Sequence, residues 1–188
     1  MKYFREFPAY NFTSATNRNE KTCVIFCVPG VNFSSGFVNN WTSLLFSFEH
    51  IKNIIEPHFV NFSADTIQDT RNLMLCGDDV SNDYRNLFYE EWNYDLIFFI
   101  DPQIEFFDPN KLVDMILKMK NYKNIDVLTH SQNSLENFDL KFTIFRKRIF
   151  ERMKFPWFEE NKNIDKLFIQ KLVDMKLNIQ FDQSVKIE

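Results

Sequence analysis

The chain has 188 residues, 45% of them hydrophobic and 26% charged, with a net charge of −4. That is apolar chain enough for one real core, and the acidic balance argues against a nucleic-acid or anionic-membrane surface, since both want a basic face. With only 3 Gly the chain has no glycine-rich phosphate loop of the nucleoside-triphosphate or dinucleotide kind, and no apolar run reaches the roughly 18 residues a transmembrane segment needs.

Residues 1–21 are polar and aromatic without a period and are expected to form an arm, leaving 22–188 as a single domain. The opening Met1-Lys2-Tyr3-Phe4-Arg5-Glu6 lacks the apolar core of a secretion signal, so a cytoplasmic protein is expected. The bias toward Phe, Asn, Lys and Ile is that of a coding sequence rich in A and T, as in many viruses, and the compartment would then be the host cytoplasm. Thr22-Cys23-Val24-Ile25-Phe26-Cys27-Val28 reads as a strand buried on both faces and stopped by Pro29-Gly30; a period of two puts Cys23 and Cys27 on the same face as inert thiols. Apolar residues at Phe37, Trp41, Leu44, Leu45 and Phe48 predict a helix over 37–48, with Ser34-Ser35 offering the N-cap.

A short strand over 57–62 and a helix or helical turn over 65–75 carrying Arg71-Asn72 follow, then a polar, acidic stretch over 77–83. Leu96-Ile97-Phe98-Phe99-Ile100 is an unbroken apolar run between Asp95 and Asp101, the pattern of a parallel strand covered on both faces. Asp108-Pro109 supplies a cap and a first-turn proline for a helix over 109–122 with Leu112, Ile116 and Met119 inside and Met115 beside them. Strands are predicted at 125–128 and 142–145, the latter leading into a helical 146–153, and Pro156-Trp157-Phe158 opens an acidic loop. A last helix covers 165–175, and 178–181 with 184–187 form a strand pair or one bent strand. This alternation predicts an α/β domain with a central, mostly parallel sheet flanked by helices.

In open α/β sheets ligands bind beyond the carboxyl ends of the strands, so Asp101 stands where chemistry is expected. The Val28-Pro29-Gly30 turn leaves room for a flat ring beside the sheet, and a nucleoside diphosphate would find a hydroxyl acceptor at Asp101 and a counter-charge at Arg71. His50, His58 and His130 lack the spacing of a metal or nucleophilic site and receive no role.

Taken together these segments resemble, in order and spacing, the GT-A-fold glycosyltransferases, which transfer a sugar from a nucleotide-sugar donor. The likeness runs through the strand ending in Val28-Pro29, the Asp69-Thr70-Arg71-Asn72-Leu73 segment, the apolar strand with Asp101-Pro102-Gln103, and the closing pattern from Ile164-Asp165 to Asn178-Ile179-Gln180-Phe181-Asp182. The resemblance implies a nucleoside-diphosphate sugar donor held by Pro29, Arg71, Asn72, Asp101 and Gln103, and a glycan or other hydroxyl acceptor stacked on Trp157. It also implies a divalent metal, Mn or Mg, at Asp101 and Gln103, and Asp165 as the base, with Glu159 and Glu160 in reserve. Gln103 stands where the family carries a second carboxylate, and a neutral amide holds a hard cation less well. The alternative is a catalytically inactive GT-A-like module that binds a glycan or a protein.

Overall fold

The computed structural model describes residues 21–76, 94–130, 135, 138–159 and 164–187; the expected arm, except Lys21, and the stretch over 77–83 lie outside the described residues. In chain order the elements are Thr22–Pro29 (β1), Ser35–Ile51 (α1), Ile55–Phe62 (β2), Ile67–Cys76 (α2), Leu96–Ile100 (β3), Pro109–Asn121 (α3), Val127–Thr129 (β4), Phe142–Arg146 (β5), Lys147–Arg152 (α4), Ile164–Asp174 (α5) and Ile179–Phe181 (β6). The strands form one six-stranded sheet in the order β2-β1-β3-β5-β4-β6. Five of them run the same way and β5 is antiparallel to both of its neighbours.

Alternation along the strands splits the core into two layers. Val24, Phe26 and Val28 of β1 with Leu96, Phe98 and Ile100 of β3 face a layer closed by Phe37, Leu44 and Phe48 of α1 and Leu112, Met115, Ile116 and Met119 of α3. Ile25 and Cys27 with Ile97 and Phe99 face the other, which is filled by Met74 and Leu75 of α2, Trp157, Phe158, and Phe168, Ile169 and Leu172 of α5. Aromatic rings supply much of both layers: Phe26 stacks on Phe98 at 5.6 Å between centroids, and Phe158 stacks on Phe168 at 4.6 Å. Cys23 and Cys27 share the second layer as their spacing predicts. Burial, helped by Glu56 and Asp95, pushes the Cys23 thiol up to about 12, which leaves it unreactive near neutral pH.

Among the boundaries that differ from the sequence reading, three have a plain physical reason. The strand expected at 57–62 begins at Ile55, with Pro57 inside it; β2 is an edge strand, where a residue without an N–H breaks no ladder. The last helix stops at Asp174 because Lys176 takes a left-handed φ of 54°. The segment over 184–187 is no strand: Asp182 Oδ1 accepts both the N–H (3.1 Å) and the hydroxyl (2.7 Å) of Ser184, turning the chain, and only an isolated bridge from Ile187 to Phe107 follows. No helix among the described residues is long and apolar enough to cross a membrane.

Candidate active site at the carboxyl edge of the sheet

The buried β3 run ends at Ile100, and the chain turns as soon as it becomes polar. Asp101 is half-buried; its N–H donates to the Lys141 carbonyl at 2.7 Å, and its Oδ1 accepts the Gln103 N–H at 2.8 Å, closing an Asx-type turn. Its Oδ2 has no partner among the described residues.

The turn that carries Asp101 is fastened to the start of α1. Ser34 caps that helix by accepting the Phe37 N–H (2.9 Å), donates its hydroxyl to the Ile104 carbonyl (3.0 Å), and donates its own N–H to Pro102 O (2.9 Å). Asn40 donates its side-chain amide to Gly36 O (2.8 Å) and to Glu105 O (3.2 Å), and the Gln103 side-chain amide donates to the Asn32 carbonyl. Ser34 therefore does more than the cap role read from the sequence. At the neighbouring strand ends Pro29 is buried as the last residue of β1. Gly30, at φ 97°, makes the turn, and Asn61 donates its amide to Val28 O (2.7 Å) and Gly30 O (2.6 Å).

A second cluster lies on the α2–α5 side. Arg71, only 8% exposed, donates from Nη1 to Asp165 Oδ1 at 2.8 Å and lies over the Phe158 ring at 5.7 Å. Asn72 makes a two-way bridge to the Phe158 backbone, donating to its carbonyl (2.7 Å) and accepting its N–H (3.1 Å). Glu159 is paired with Lys171 at 2.6 Å. Phe158 in turn meets Phe99, two residues before Asp101, edge-on at 5.7 Å.

The structure thus brings Arg71, Asn72, Glu159 and Asp165 together and places Asp101 with Gln103 at the strand end; Glu160 lies outside the described residues. It shows Arg71 and Asn72 fastening α5 and the 156–158 turn to α2. Trp157, expected as a stacking platform, is 2% exposed and donates its indole N–H to Phe150 O (3.0 Å), so both of its faces belong to the core.

Residues given no role in the sequence also gather at this edge. His130 follows β4, with Nδ1 3.4 Å from Phe142 O, and burial lowers its pKa against the opposing pull of Asp139. Burial alone would raise the Asp182 carboxyl, yet the Ser184 and Lys118 bonds hold it below its ordinary value. An antiparallel β5 was the missing signal: once its register is known, Lys141 falls opposite Asp101.

The divalent ion implied by the resemblance would rest on Asp101 and Gln103, and that donor set fits it poorly. Gln103 is anchored by its NH2 to a backbone carbonyl and one Asp101 oxygen is engaged by the turn, which leaves one oxygen on each side chain, and only one of the two belongs to a carboxylate, the ligand a hard divalent cation prefers. Among the described residues no three His, Cys, Asp or Glu side chains are grouped to hold a metal.

No protein-family model matches the chain, and no curated protein matches it by sequence. Solved structures do resemble it. A197 from STIV is 16% identical and superposes on 88% of this chain and 84% of its own with a TM-score of 0.54. A glycosyltransferase involved in glycosylation of the major capsid of PBCV-1 is 9% identical and covers 85% of this chain and 81% of its own, with a TM-score of 0.50. At such identities the likeness is one of fold: the chain is a single α/β domain with a GT-A-like fold.

Proposed function

We propose that the protein is a glycosyltransferase, moving a sugar from a nucleoside-diphosphate donor to a hydroxyl acceptor such as a glycan. One observation carries the reading. Asp101 leaves the central buried strand at the carboxyl edge, with one oxygen locking its turn and the other open among the described residues. An open carboxylate oxygen on a rigid turn is a directed acceptor for a ribose hydroxyl. The fold shared with the PBCV-1 enzyme supports the same class.

In an inverting transfer the acceptor oxygen bonds the anomeric carbon while its proton passes to a carboxylate. The bond from sugar to diphosphate breaks, and its electron pair leaves on the diphosphate. Asp165 is the base in this reading: Arg71 holds its Oδ1, which leaves Oδ2 for the acceptor proton, and its side chain keeps 33% of its surface exposed. Arg71 is then a positioning residue for Asp165 rather than a donor contact, Asn72 steadies the same turn, and Glu159 and Glu160 are reserve carboxylates. Gln103 serves by holding the Asp101 turn against Asn32.

The test is a thermal-shift panel with UDP, GDP and dTDP. At a hundredfold excess over Kd a binding nucleotide stabilises by about 2.7 kcal/mol, a rise of about 5 to 10 °C in Tm for a domain of this size. Asp101→Asn, which keeps an oxygen for the Gln103 N–H, is expected to lose most of that rise. No shift with any of the three, or an equal shift in the variant, would contradict the reading. Gln103 in a carboxylate position favours the second reading, a GT-A-like module that binds a glycan or protein without turnover; nucleotide binding with no transfer to any acceptor would select it.

A further inference from the structure

We propose that Lys141, and no divalent ion held between Asp101 and Gln103, meets the negative charge of the donor diphosphate; the inference rests on the nucleotide-sugar reading above. The β3–β5 register pairs Leu96 with Arg146 and continues to Ile100 with Phe142. One step further sets Asp101 opposite Lys141, and the 2.7 Å bond from Asp101 N–H to Lys141 O continues the ladder there. Ile100 and Phe142 both face the α1–α3 layer, so alternation directs Asp101 and Lys141 toward the opposite side together. Directly opposed residues have Cβ atoms about 4.5 to 5.5 Å apart, which is within reach of one ligand.

The environment of Lys141 suits a ligand rather than the protein. Its backbone is fixed by an N–H bond to Asp139 Oδ1 (3.0 Å), while the residue is exposed and its side chain forms no ion pair among the described residues. Other cations on this side are already engaged: Arg71 by Asp165 at 2.8 Å and Lys171 by Glu159 at 2.6 Å. A lone carboxylate would repel a diphosphate. Asp101 paired with Lys141 can instead take a ribose hydroxyl on the acid and a phosphate oxygen on the ammonium. Gln103, tied to Asn32, is a positioning residue that supports the turn on which this pair stands.

The experiment uses the full chain and whichever of UDP, GDP and dTDP binds, measured by titration calorimetry beside the matching nucleoside, in manganese and in excess EDTA. The inference expects a diphosphate affinity that EDTA leaves unchanged. Lys141→Gln should weaken it by about ten- to a hundredfold, leave nucleoside affinity within about twofold, and be rescued in part by Lys141→Arg. Diphosphate binding that needs manganese and ignores Lys141→Gln overturns this inference but keeps the nucleotide-sugar reading. If no nucleotide binds under either condition, that underlying reading fails.

Discussion

Replacing Gly36 with alanine is expected to destabilise the protein by about 3 kcal/mol, the upper end of ordinary overpacking, a fall of about 6 to 12 °C in Tm. A Cβ at this position would stand 1.9 Å from the Glu105 carbonyl oxygen and 2.7 Å from its carbon. Both are backbone atoms, so no rotamer change relieves the clash: either α1 or the loop after Asp101 must move. The same helix start holds that loop through the Ser34 bonds to Pro102 and Ile104 and the Asn40 bond to Glu105. The nucleotide-induced shift should therefore fall with stability. Thermal denaturation with and without nucleotide checks both effects, and a wild-type Tm for Gly36→Ala would mean that α1 and the loop are not in contact.

Arg146→Met is expected to cost a similar amount for a different reason and with a different functional outcome. Arg146 is 8% exposed and donates from Nε to Ile125 O (2.6 Å) and from Nη2 to the carbonyls of Met119 and Tyr122 (the latter 2.9 Å). Met119 and Tyr122 lie at the end of α3, where helix carbonyls lack intrahelical partners and the dipole favours a cation. Methionine fills the volume but leaves three acceptors with reduced satisfaction, a loss of about 3 kcal/mol. Arg146→Lys should recover only part of it, since one ammonium cannot reproduce the planar fork. Arg146 pairs with Leu96, the start of β3, at the far end of the strand from Asp101. The variant should accordingly keep its nucleotide-induced rise, measured from its own lowered Tm. Urea titration of the two variants gives the stabilities, and a Met variant as stable as the parent would contradict the clamp.

The parts of this molecule that were legible in the sequence are those governed by local pattern. An unbroken apolar run between two aspartates identifies β3 and places Asp101 at its exit, and Asp108-Pro109 and Ser34 mark the two helix starts that frame the site. What stayed hidden depends on contacts between distant segments. Gln103 gives no local sign of its bond to Asn32, 71 residues away, and Arg71, read as a counter-charge for the donor, gives none of Asp165, 94 residues away. Trp157 next to a proline looks like a surface platform because nothing local reveals that Phe150, Phe155 and the indole bond draw it inward. The direction of β5 is equally invisible: its Phe142-Thr143-Ile144-Phe145 run suits either sense, and only the antiparallel register sets Lys141 against Asp101. Gly36 carries no local signal at all, since what demands a missing Cβ is a carbonyl from another loop.

The most direct test of the central claim, that a nucleoside diphosphate binds where β3 ends, is an amide correlation spectrum of the labelled protein titrated with the nucleotide that shifts its Tm. The account predicts saturable perturbations concentrated at Gly30, Ser34, Asp101, Gln103 and Lys141, with the amides of Leu96, Arg146 and Lys147 at the opposite end of the sheet unmoved. Perturbations centred on that opposite end, or a spectrum indifferent to every nucleotide, would contradict it.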